Sequence, residues 1–366
     1  MPISYDVWAA AQQERGIDLA AVREKLKNYA IELPSWGFGN SGTRFQVFKA
    51  QGAAGNLWER IEDCAMVHKL TGMTPTMAIH IPWDKVDDYD EVAAYAAERG
   101  IRIGAVNPNL FQEPEYKLGS LCNSDPAVRR KAIDHMLECA DIMRKTGSRD
   151  MSLWLADGTN YPGQGDIRAR KHYLEEALVE VAAAMPEGSR LLIEYKPFEP
   201  AFYHTDIADW GMSHAFCKKI GDKGKVLVDI GHHLQGTNVE HIVAFLLDEG
   251  MLGGFHFNNR KYADDDLIVG SVNPYEIFLI FQEILAAEAD PRCADCVQNI
   301  AYMVDQSHCI EPKVPAMIRS VGNIQTAYAK ALLINREKLA AARAAGDVMA
   351  AEACMREAFE QDVTPL

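Results

Sequence analysis

The stretch KVLVDIGHH, residues 225–233, joins a run of β-branched and apolar residues directly to one aspartate and two histidines. An apolar run of this length is typical of a strand that is buried on both faces of a parallel sheet. Similar runs recur along the whole chain, and most of them also end in polar or aromatic side chains. The eight predicted strands are 30–34, 76–81, 101–106, 150–155, 190–195, 225–230, 253–257 and 300–304.

Amphipathic segments with helical periodicity separate these strands. The clearest is 126–146, where Asp125 is an N-cap, Pro126 takes the first helical position and Gly147 follows the last turn. The other predicted helices are 55–71, 88–99, 168–185, 206–219, 238–249 and 274–288. Eight strands alternating with helices predict an α/β fold of the (β/α)8, or TIM barrel, type. We expect an N-terminal helical extension at 1–29, the barrel at 30–311 and a C-terminal helical arm at 312–366.

The amino-acid composition and net charge argue against nucleic acid and membranes as partners. The chain has 366 residues, 48% of them apolar, and a net charge of −15, so we expect a folded protein that repels nucleic acid. No apolar stretch is long enough for a membrane span, and the N-terminus lacks a secretory signal pattern. Eight cysteines without a disulfide or zinc pattern favour the cytoplasm.

Polar side chains lie at the carboxyl ends of most of the predicted strands. Glu194, Asp229, His256 and Asp305 lie at the carboxyl ends of strands five to eight, which are neighbours in a sequentially wound barrel. Three carboxylates and one imidazole at one barrel mouth would repel each other unless a cation lay between them. Oxygen ligands with a single nitrogen suit Mn²⁺, Mg²⁺ or Co²⁺.

A second group of candidate ligands lies beside the first. His232 follows Asp229 by three residues, and Asp264 and Asp266 lie two apart in the loop after strand seven. Together these three side chains predict a second divalent ion. The alternative is that each carboxylate only caps the next helix, or that the acidic loop is a solvated surface. Four consecutive strands with the same ending favour the metal interpretation.

A dinucleotide site is the competing interpretation of the glycines after strand one. Gly37, Gly39 and Gly42 form GxGxxG, but TRFQVF follows, and no helix opens at the third glycine. We therefore predict no dinucleotide site there.

Seven motifs resemble those of the L-rhamnose isomerases, in the branch typified by pseudomonad and bacillus enzymes, within the xylose-isomerase-like barrel superfamily. The resemblance runs from about residue 30 to 330, in order and at compatible spacing. The motifs are PSWGFGNSGTRF (34–45), HIPWDK (80–85), DGTNYPGQ (157–164), EYKPFEPAFY (194–203), VDIGHH (228–233), GGFHFNNRKYADDDL (253–267) and VDQSH (304–308).

The resemblance implies a metal-dependent aldose–ketose isomerase that interconverts L-rhamnose and L-rhamnulose in rhamnose catabolism. It implies two divalent metal ions per subunit, Mn²⁺ first, with Co²⁺, Mg²⁺ or Zn²⁺ as alternatives. The ligands of the two sites would be the two groups derived above: Glu194, Asp229, His256 and Asp305 for one, and His232, Asp264 and Asp266 for the other. Further implied roles are sugar contacts by Lys196 and Ser307, an aromatic pocket of Trp36, Trp83, Phe111 and Trp154, and Phe45 as an aromatic lent to a neighbouring subunit of a homotetramer.

The mechanism expected from this family is a hydride shift between C1 and C2 of the opened sugar. His80 or Asp305 would assist ring opening by proton transfer, and Lys196 would stabilise a developing alkoxide. Three alternatives stay open: proton transfer through an enediol, as in barrel epimerases; a metal-dependent hydrolase; and a sugar-binding protein without catalysis.

Overall fold

Eight parallel strands close into a barrel in the computed structural model, which describes residues 4–42, 46–197 and 203–366. The strands are bonded in chain order and the last pairs with the first. They are β1 Glu32–Pro34, β2 Thr76–Ile81, β3 Arg102–Pro108, β4 Asp150–Leu153, β5 Arg190–Glu194, β6 Gly224–Asp229, β7 Leu252–Phe257 and β8 Ala301–Val304. The predicted (β/α)8 barrel is confirmed, and the strand ends shift by only a few residues.

The helices also follow the predicted alternation. Asp125 accepts a hydrogen bond from the N–H of Ala127 at 2.8 Å, and Gly147 ends that helix at φ 71°, in the left-handed region. The helices are α1 Tyr5–Glu14, α2 Leu19–Asn28, α3 Leu57–Thr71, α4 Tyr89–Glu98, α5 Pro126–Thr146, α6 Ile167–Ala184, α7 Trp210–Ile220, α8 Val239–Asp248, α9 Pro274–Ala287, α10 Ala294–Gln298, α11 Lys313–Leu332, α12 Arg336–Ala345 and α13 Val348–Phe359.

The barrel interior changes from apolar to polar along the strands. A middle layer of inward-facing side chains is apolar and contains Ala78, Ala105, Leu192, Leu227 and Met303. Because side chains alternate between the two faces of a strand, the residue two positions further along each strand faces inward again. Those positions hold His80, Asn107, Glu194, Asp229 and Asp305. Side-chain alternation thus brings the polar groups to the carboxyl-terminal mouth of the barrel.

The terminal helices pack against each other on the outside of the barrel. Trp8 of α1 and Val22 of α2 form an apolar cluster with Leu333, and Arg15 pairs with Glu357 of α13 at 3.0 Å. The division into extension, barrel and arm stays a prediction. However, α11 packs between α9 and α3, in the position of the eighth helix of the ring, so we propose that the barrel extends to about residue 332.

The described residues around the GxGxxG motif are irregular, as the sequence predicts. Gly37 lies in a short 3-10 helix, Ser35–Phe38, and Gly42 lies in a two-residue strand paired with Val47–Phe48. The next helix, α3, begins only at Leu57. In the part of the chain that the structure describes, no helix is both long and apolar enough to cross a membrane.

Candidate active site

His256 stands at the centre of the first predicted group of metal ligands. Its Nδ1 lies 3.2 Å from Glu194 Oε2, 3.5 Å from Asp305 Oδ2 and 3.9 Å from Asp229 Oδ2. One ligand atom from each of these four residues lies within 4.8 Å of the others. The Nδ1 atom is buried and makes no hydrogen bond, so one imidazole nitrogen and three carboxylates face a common point.

The second predicted group adjoins the first. Asp229, His232 and Asp264 bring ligand atoms within 4.8 Å of one another, so Asp229 belongs to both groups. His232 Nε2 lies 3.2 Å from Asp264 Oδ1, and its Nδ1 lies 3.1 Å from the carbonyl oxygen of Tyr195. With a metal ion bound, a proton on Nδ1 donated to that carbonyl would leave the Nε2 lone pair free to bind the ion. Asp266, the third member of the predicted group, lines the same cavity with a backbone φ of 46°, but it belongs to neither group of ligand atoms that lie within 4.8 Å of one another.

Outer side chains hold these carboxylates in place. Asn258 donates its Nδ2 to both carboxylate oxygens of Asp229, at 3.0 and 3.1 Å, and the N–H of Gly231 donates to Oδ1 at 2.6 Å. The indole of Trp36 donates to Asp305 Oδ1 at 2.8 Å. Such partners fix the direction of a carboxylate and thereby support the affinity of a metal site.

The charges of this cluster influence each other strongly. Burial disfavours the Glu194 carboxylate, but His256 and His232 outweigh it and lower the pKa of Glu194 to about 2. Burial, opposed by His232 and reinforced by the other carboxylates, raises the pKa of Asp229 to about 7. Burial opposes the charging of His256, but Glu194 and the other carboxylates raise its pKa to about 9. A divalent cation is the natural counter-charge for such a set, so the donors fit the metal ions that the sequence predicts.

A cavity of about 200 Å³ opens beside the two groups. Its opposite wall is largely aromatic: His80 stacks on Trp83 with ring centroids 3.9 Å apart, and Phe111 packs edge-on against Trp154 at 4.9 Å. Lys196 Nζ lies 4.9 Å from the centre of the Trp154 ring and donates to Asp264 Oδ2 at 2.6 Å. The cavity thus has one charged side and one aromatic side.

Burial keeps the imidazole ring of His80 unprotonated. It lowers the pKa of His80 to about 3, with His135 and Arg60 adding to the effect, so the imidazole is neutral at neutral pH. Its Nδ1 atom is buried and has no hydrogen-bond partner. The ring can therefore offer one donor and one acceptor near the cavity.

Two predicted contacts lie away from the cavity wall or outside the described residues. Ser307 contacts Ser41 through their hydroxyl groups, and Lys313 Nζ donates to the same Ser41 oxygen at 3.1 Å. Phe45 lies outside the described residues.

Two strand-end polar residues have structural partners instead of cavity positions. Asn109 Oδ1 accepts from the N–H of Phe111 and closes the loop after β3. Asp157 accepts two hydrogen bonds from Ser120 and one from the N–H of Cys122. Strand-end position alone therefore does not distinguish a ligand from a residue that holds a loop.

A third cluster of metal-ligand types, Cys122, Asp157 and Asp206, has its own counter-charge. The guanidinium of Arg170 lies 2.6 Å from Asp206 Oδ2, and both side chains are almost fully buried. This cluster is a buried ion pair with hydrogen-bonded neighbours, and it requires no metal ion.

Asn258 and Ser152 are the site residues that the sequence did not predict. Asn258 follows His256 by two residues, so alternation places both on the inner side. This two-residue spacing is the sequence signal from which Asn258 could have been predicted as a site residue. Ser152 lies within the strand run and carries no local sign of its role.

The chain matches the family model described as "Xylose isomerase-like TIM barrel" over residues 68–277. It is 42% identical over 358 residues to a probable sugar isomerase of Rhizobium meliloti, with 96% of this chain and 82% of that protein covered. A probable sugar isomerase of Mesorhizobium japonicum is 40% identical over 364 residues, with the same coverage of 96% and 82%. The chain belongs to the xylose isomerase-like TIM barrel family. A xylose isomerase of Thermus thermophilus is 30% identical over a match that covers 50% of this chain and 49% of that protein.

Solved structures of the same architecture include two ketose epimerases. The structure of an L-ribulose 3-epimerase superposes with a TM-score of 0.59 at 16% identity, covering 84% of this chain and 98% of its own. A D-psicose 3-epimerase from Clostridium cellulolyticum H10 gives a TM-score of 0.54 at 15% identity, again over 84% and 98% of the two chains. At this level of identity the similarity concerns the fold. The family model and the two probable sugar isomerases support the superfamily part of the predicted resemblance.

Proposed function

We propose that this protein is a metal-dependent aldose–ketose isomerase, an intramolecular oxidoreductase that interconverts L-rhamnose and L-rhamnulose. We propose that it also acts on related aldoses such as L-mannose, L-lyxose and D-allose. The observation that carries this proposal is the pair of adjoining ligand groups with Asp229 in common, beside a cavity of about 200 Å³ with an aromatic wall. The similarity to probable sugar isomerases along nearly the whole chain points to the same class of reaction.

Two divalent ions, Mn²⁺ in this proposal with Co²⁺, Mg²⁺ or Zn²⁺ as alternatives, would polarise the oxygens on C1 and C2 of the opened sugar. Glu194, Asp229, His256 and Asp305 would hold one ion. His232, Asp264 and Asp266 would hold the other with Asp229 in common. The buried, unpartnered Nδ1 of His256 and Oδ1 of Asp264 are the atoms that fit such ions best.

The remaining side chains orient the sugar and exclude water. Trp36, Trp83, Phe111 and Trp154 offer flat apolar faces on which the C–H groups of a sugar pack. The Lys196 ammonium lies close enough to the ligand groups to stabilise negative charge that develops on a sugar oxygen. The aromatic side chains of this wall would displace water from the bound sugar, and this favours a hydride shift because a proton released from C2 would exchange where water has access.

Ring opening requires a proton to move between the ring oxygen and O1. We propose His80 and Asp305 for this step. The neutral imidazole of His80 can donate one hydrogen bond and accept another. Asp305, which as a metal ligand would be an ionised carboxylate, would accept the proton of the O1 hydroxyl.

The experiment measures ketose formed from L-rhamnose by chelator-treated protein, with and without added Mn²⁺. L-mannose, L-lyxose and D-allose are run in parallel. Activity that returns with Mn²⁺ and is lost in Asp264→Asn supports the proposal. If none of the four aldoses gives a ketose with any of the proposed metals, the isomerase assignment is wrong.

The source of the hydrogen at C1 distinguishes the hydride shift from the enediol route. Reaction in deuterated water leaves C1 of the product unlabelled if hydride moves directly. Deuterium at C1 would instead indicate proton transfer through an enediol, as in an epimerase. Cleavage of a phosphodiester by the metal-loaded protein would support the hydrolase alternative, against which the net charge of −15 argues.

We also propose a homotetramer in the cytoplasm. The eight cysteines are all unpaired, and seven of them are buried, a pattern usual in reducing compartments. Light scattering coupled to gel filtration measures the mass of the assembly, and a monomer would contradict this part of the proposal.

A further inference from the structure

Two histidines follow one another in the loop after β6, and the mechanism above uses only the first, His232. The second, His233, has a protein partner at each ring nitrogen: Nδ1 lies 3.2 Å from the carbonyl oxygen of Ile230, and Nε2 lies 2.7 Å from the hydroxyl oxygen of Tyr195. Because a carbonyl oxygen can only accept, Nδ1 carries the proton, and Nε2 accepts a hydrogen bond from the Tyr195 hydroxyl. His233 therefore has no lone pair left for a metal ion.

Tyr195, which directly follows β5, contacts both histidines, one from each end of the residue. Its carbonyl oxygen lies 3.1 Å from Nδ1 of His232, and its hydroxyl donates to His233 at 2.7 Å. The rings of Tyr195 and His233 also meet edge-on, with centroids 5.4 Å apart. All three side chains are buried, with at most 5% of each residue exposed. The loop after β6 is thus attached to the end of β5 at two separate points.

These attachments bear on the direction in which the His232 ring points. Its Nδ1 has two acceptors within reach, the Tyr195 carbonyl at 3.1 Å and Glu194 Oε1 at 3.0 Å. A proton donated to either one would leave Nε2, which lies 3.2 Å from Asp264 Oδ1, as the atom that binds an ion. The ring keeps this direction only while the backbone that carries it stays in place. The next residue, His233, fixes that backbone through its bond to the Tyr195 hydroxyl.

We infer that the hydrogen bond between Tyr195 and His233 positions His232 as a ligand of the second ion. This inference rests on the metal centre of the proposed function. Neither Tyr195 nor His233 is among the described residues that line the cavity, so both are positioning residues. Loss of an outer partner lowers metal affinity by about 10–100-fold. Because His232 keeps its own contacts with the Tyr195 carbonyl and Glu194, the expected loss is at the lower end, about tenfold.

Isothermal titration of the chelator-treated protein with Mn²⁺ tests this inference and requires no turnover. Tyr195→Phe removes the hydroxyl but keeps the ring and the backbone carbonyl. We expect wild type to bind two ions, and Tyr195→Phe to bind one of them unchanged and the other about tenfold more weakly. His233→Leu should have the same effect. His233→Gln should restore the affinity, because its amide oxygen can accept from the Tyr195 hydroxyl in place of Nε2.

Asp264→Asn identifies which ion is affected. Asp264 belongs only to the second group of ligand atoms, so this variant should keep the ion of the first group. Adding Tyr195→Phe to Asp264→Asn should leave the affinity for that remaining ion unchanged. A merely structural role of Tyr195 would lower the free energy of unfolding without weakening one ion selectively.

Tyr95→Phe is the matched control. The Tyr95 hydroxyl also makes a hydrogen bond of 2.7 Å, to Glu62 Oε1, but this bond joins α4 to α3 on the outside of the barrel. Its loss should leave the affinity for both ions unchanged.

Failure of this inference and failure of the proposed function give different results. If wild type binds two ions and Tyr195→Phe weakens both equally or neither, the positioning role is wrong while the metal centre stands. If wild type binds no second ion, the metal centre of the proposed function is wrong, and this inference is wrong with it. A selective loss of the second ion in Tyr195→Phe that His233→Leu reproduces and His233→Gln does not would support the inference, whichever sugar the protein converts.

Discussion

Asn258 holds the carboxylate that both ligand groups have in common, so its removal is the sharpest test of the proposed metal centre. It is fully buried and donates one amide group to both oxygens of Asp229, at 3.0 and 3.1 Å. We expect Asn258→Ala to weaken Mn²⁺ binding because Asp229 loses the partner that fixes its orientation. The same change leaves the Asn258 side-chain volume empty, so some loss of stability accompanies it.

The size of the effect follows from the contacts that remain. A hydrogen bond to a charged group contributes about 1.5–3 kcal/mol, and loss of an outer partner lowers metal affinity by about 10–100-fold. The N–H of Gly231 still holds Oδ1 of Asp229 at 2.6 Å after the substitution. The expected loss is therefore at the lower end, about tenfold, or about 1.4 kcal/mol.

Isothermal titration of chelator-treated protein with Mn²⁺ measures this change. Asn238→Ala is the control, because Asn238 is an exposed asparagine that caps α8 by accepting from the N–H of His241 at 2.9 Å. That variant should lose about 1 kcal/mol of stability and keep its Mn²⁺ affinity. If Asn258→Ala folds and binds Mn²⁺ within about twofold of wild type, Asp229 does not depend on Asn258, and the reasoning is refuted.

Three further predictions concern other parts of the molecule. Burial raises the pKa of Glu32, at the amino-terminal end of the barrel, from 4.5 to about 7. The Glu32 carboxyl of the folded protein therefore keeps its proton to higher pH than in the unfolded chain, and the free energy of unfolding falls as pH rises through this range. Urea unfolding should show Glu32→Gln to be more stable than wild type near about pH 8, by at most about 3 kcal/mol. The two proteins should be equally stable near about pH 4. A difference independent of pH would contradict this. Trp36→Phe removes the 2.8 Å hydrogen bond to Asp305 Oδ1 but keeps an aromatic ring. We therefore expect kcat/KM at saturating Mn²⁺, measured in steady-state kinetics, to fall about tenfold. An unchanged kcat/KM would show that other partners hold Asp305. Asp125→Ala removes the cap of α5 and should cost about 1 kcal/mol in urea unfolding with Mn²⁺ affinity unchanged; a loss of affinity would mean that α5 supports the site.

The fold and most of the residues of the site can be predicted from local sequence pattern. Eight apolar strands that alternate with capped helices indicate a (β/α)8 barrel. In such a barrel the carboxyl ends of all the parallel strands lie at the same mouth. Asp229 and His256 lie at the carboxyl ends of such runs, so they could be predicted to lie near each other from local pattern alone. Their pairing in the barrel, with Asp229 beside His256 in register, is a consequence of that arrangement.

Which polar residues are ligand candidates and which hold loops depends on tertiary contacts. Asp157 comes shortly after β4 and Asp229 ends β6, yet Asp157 holds a loop and Asp229 belongs to both ligand groups. The choice of Asp229 as the shared carboxylate and the pairing of the Asn258 amide with it are likewise absent from the local pattern. Each of these depends on the register between neighbouring strands and on the path of the returning loops. Register and loop path arise from contacts between residues far apart in the chain, and no local pattern of apolar and polar residues encodes them.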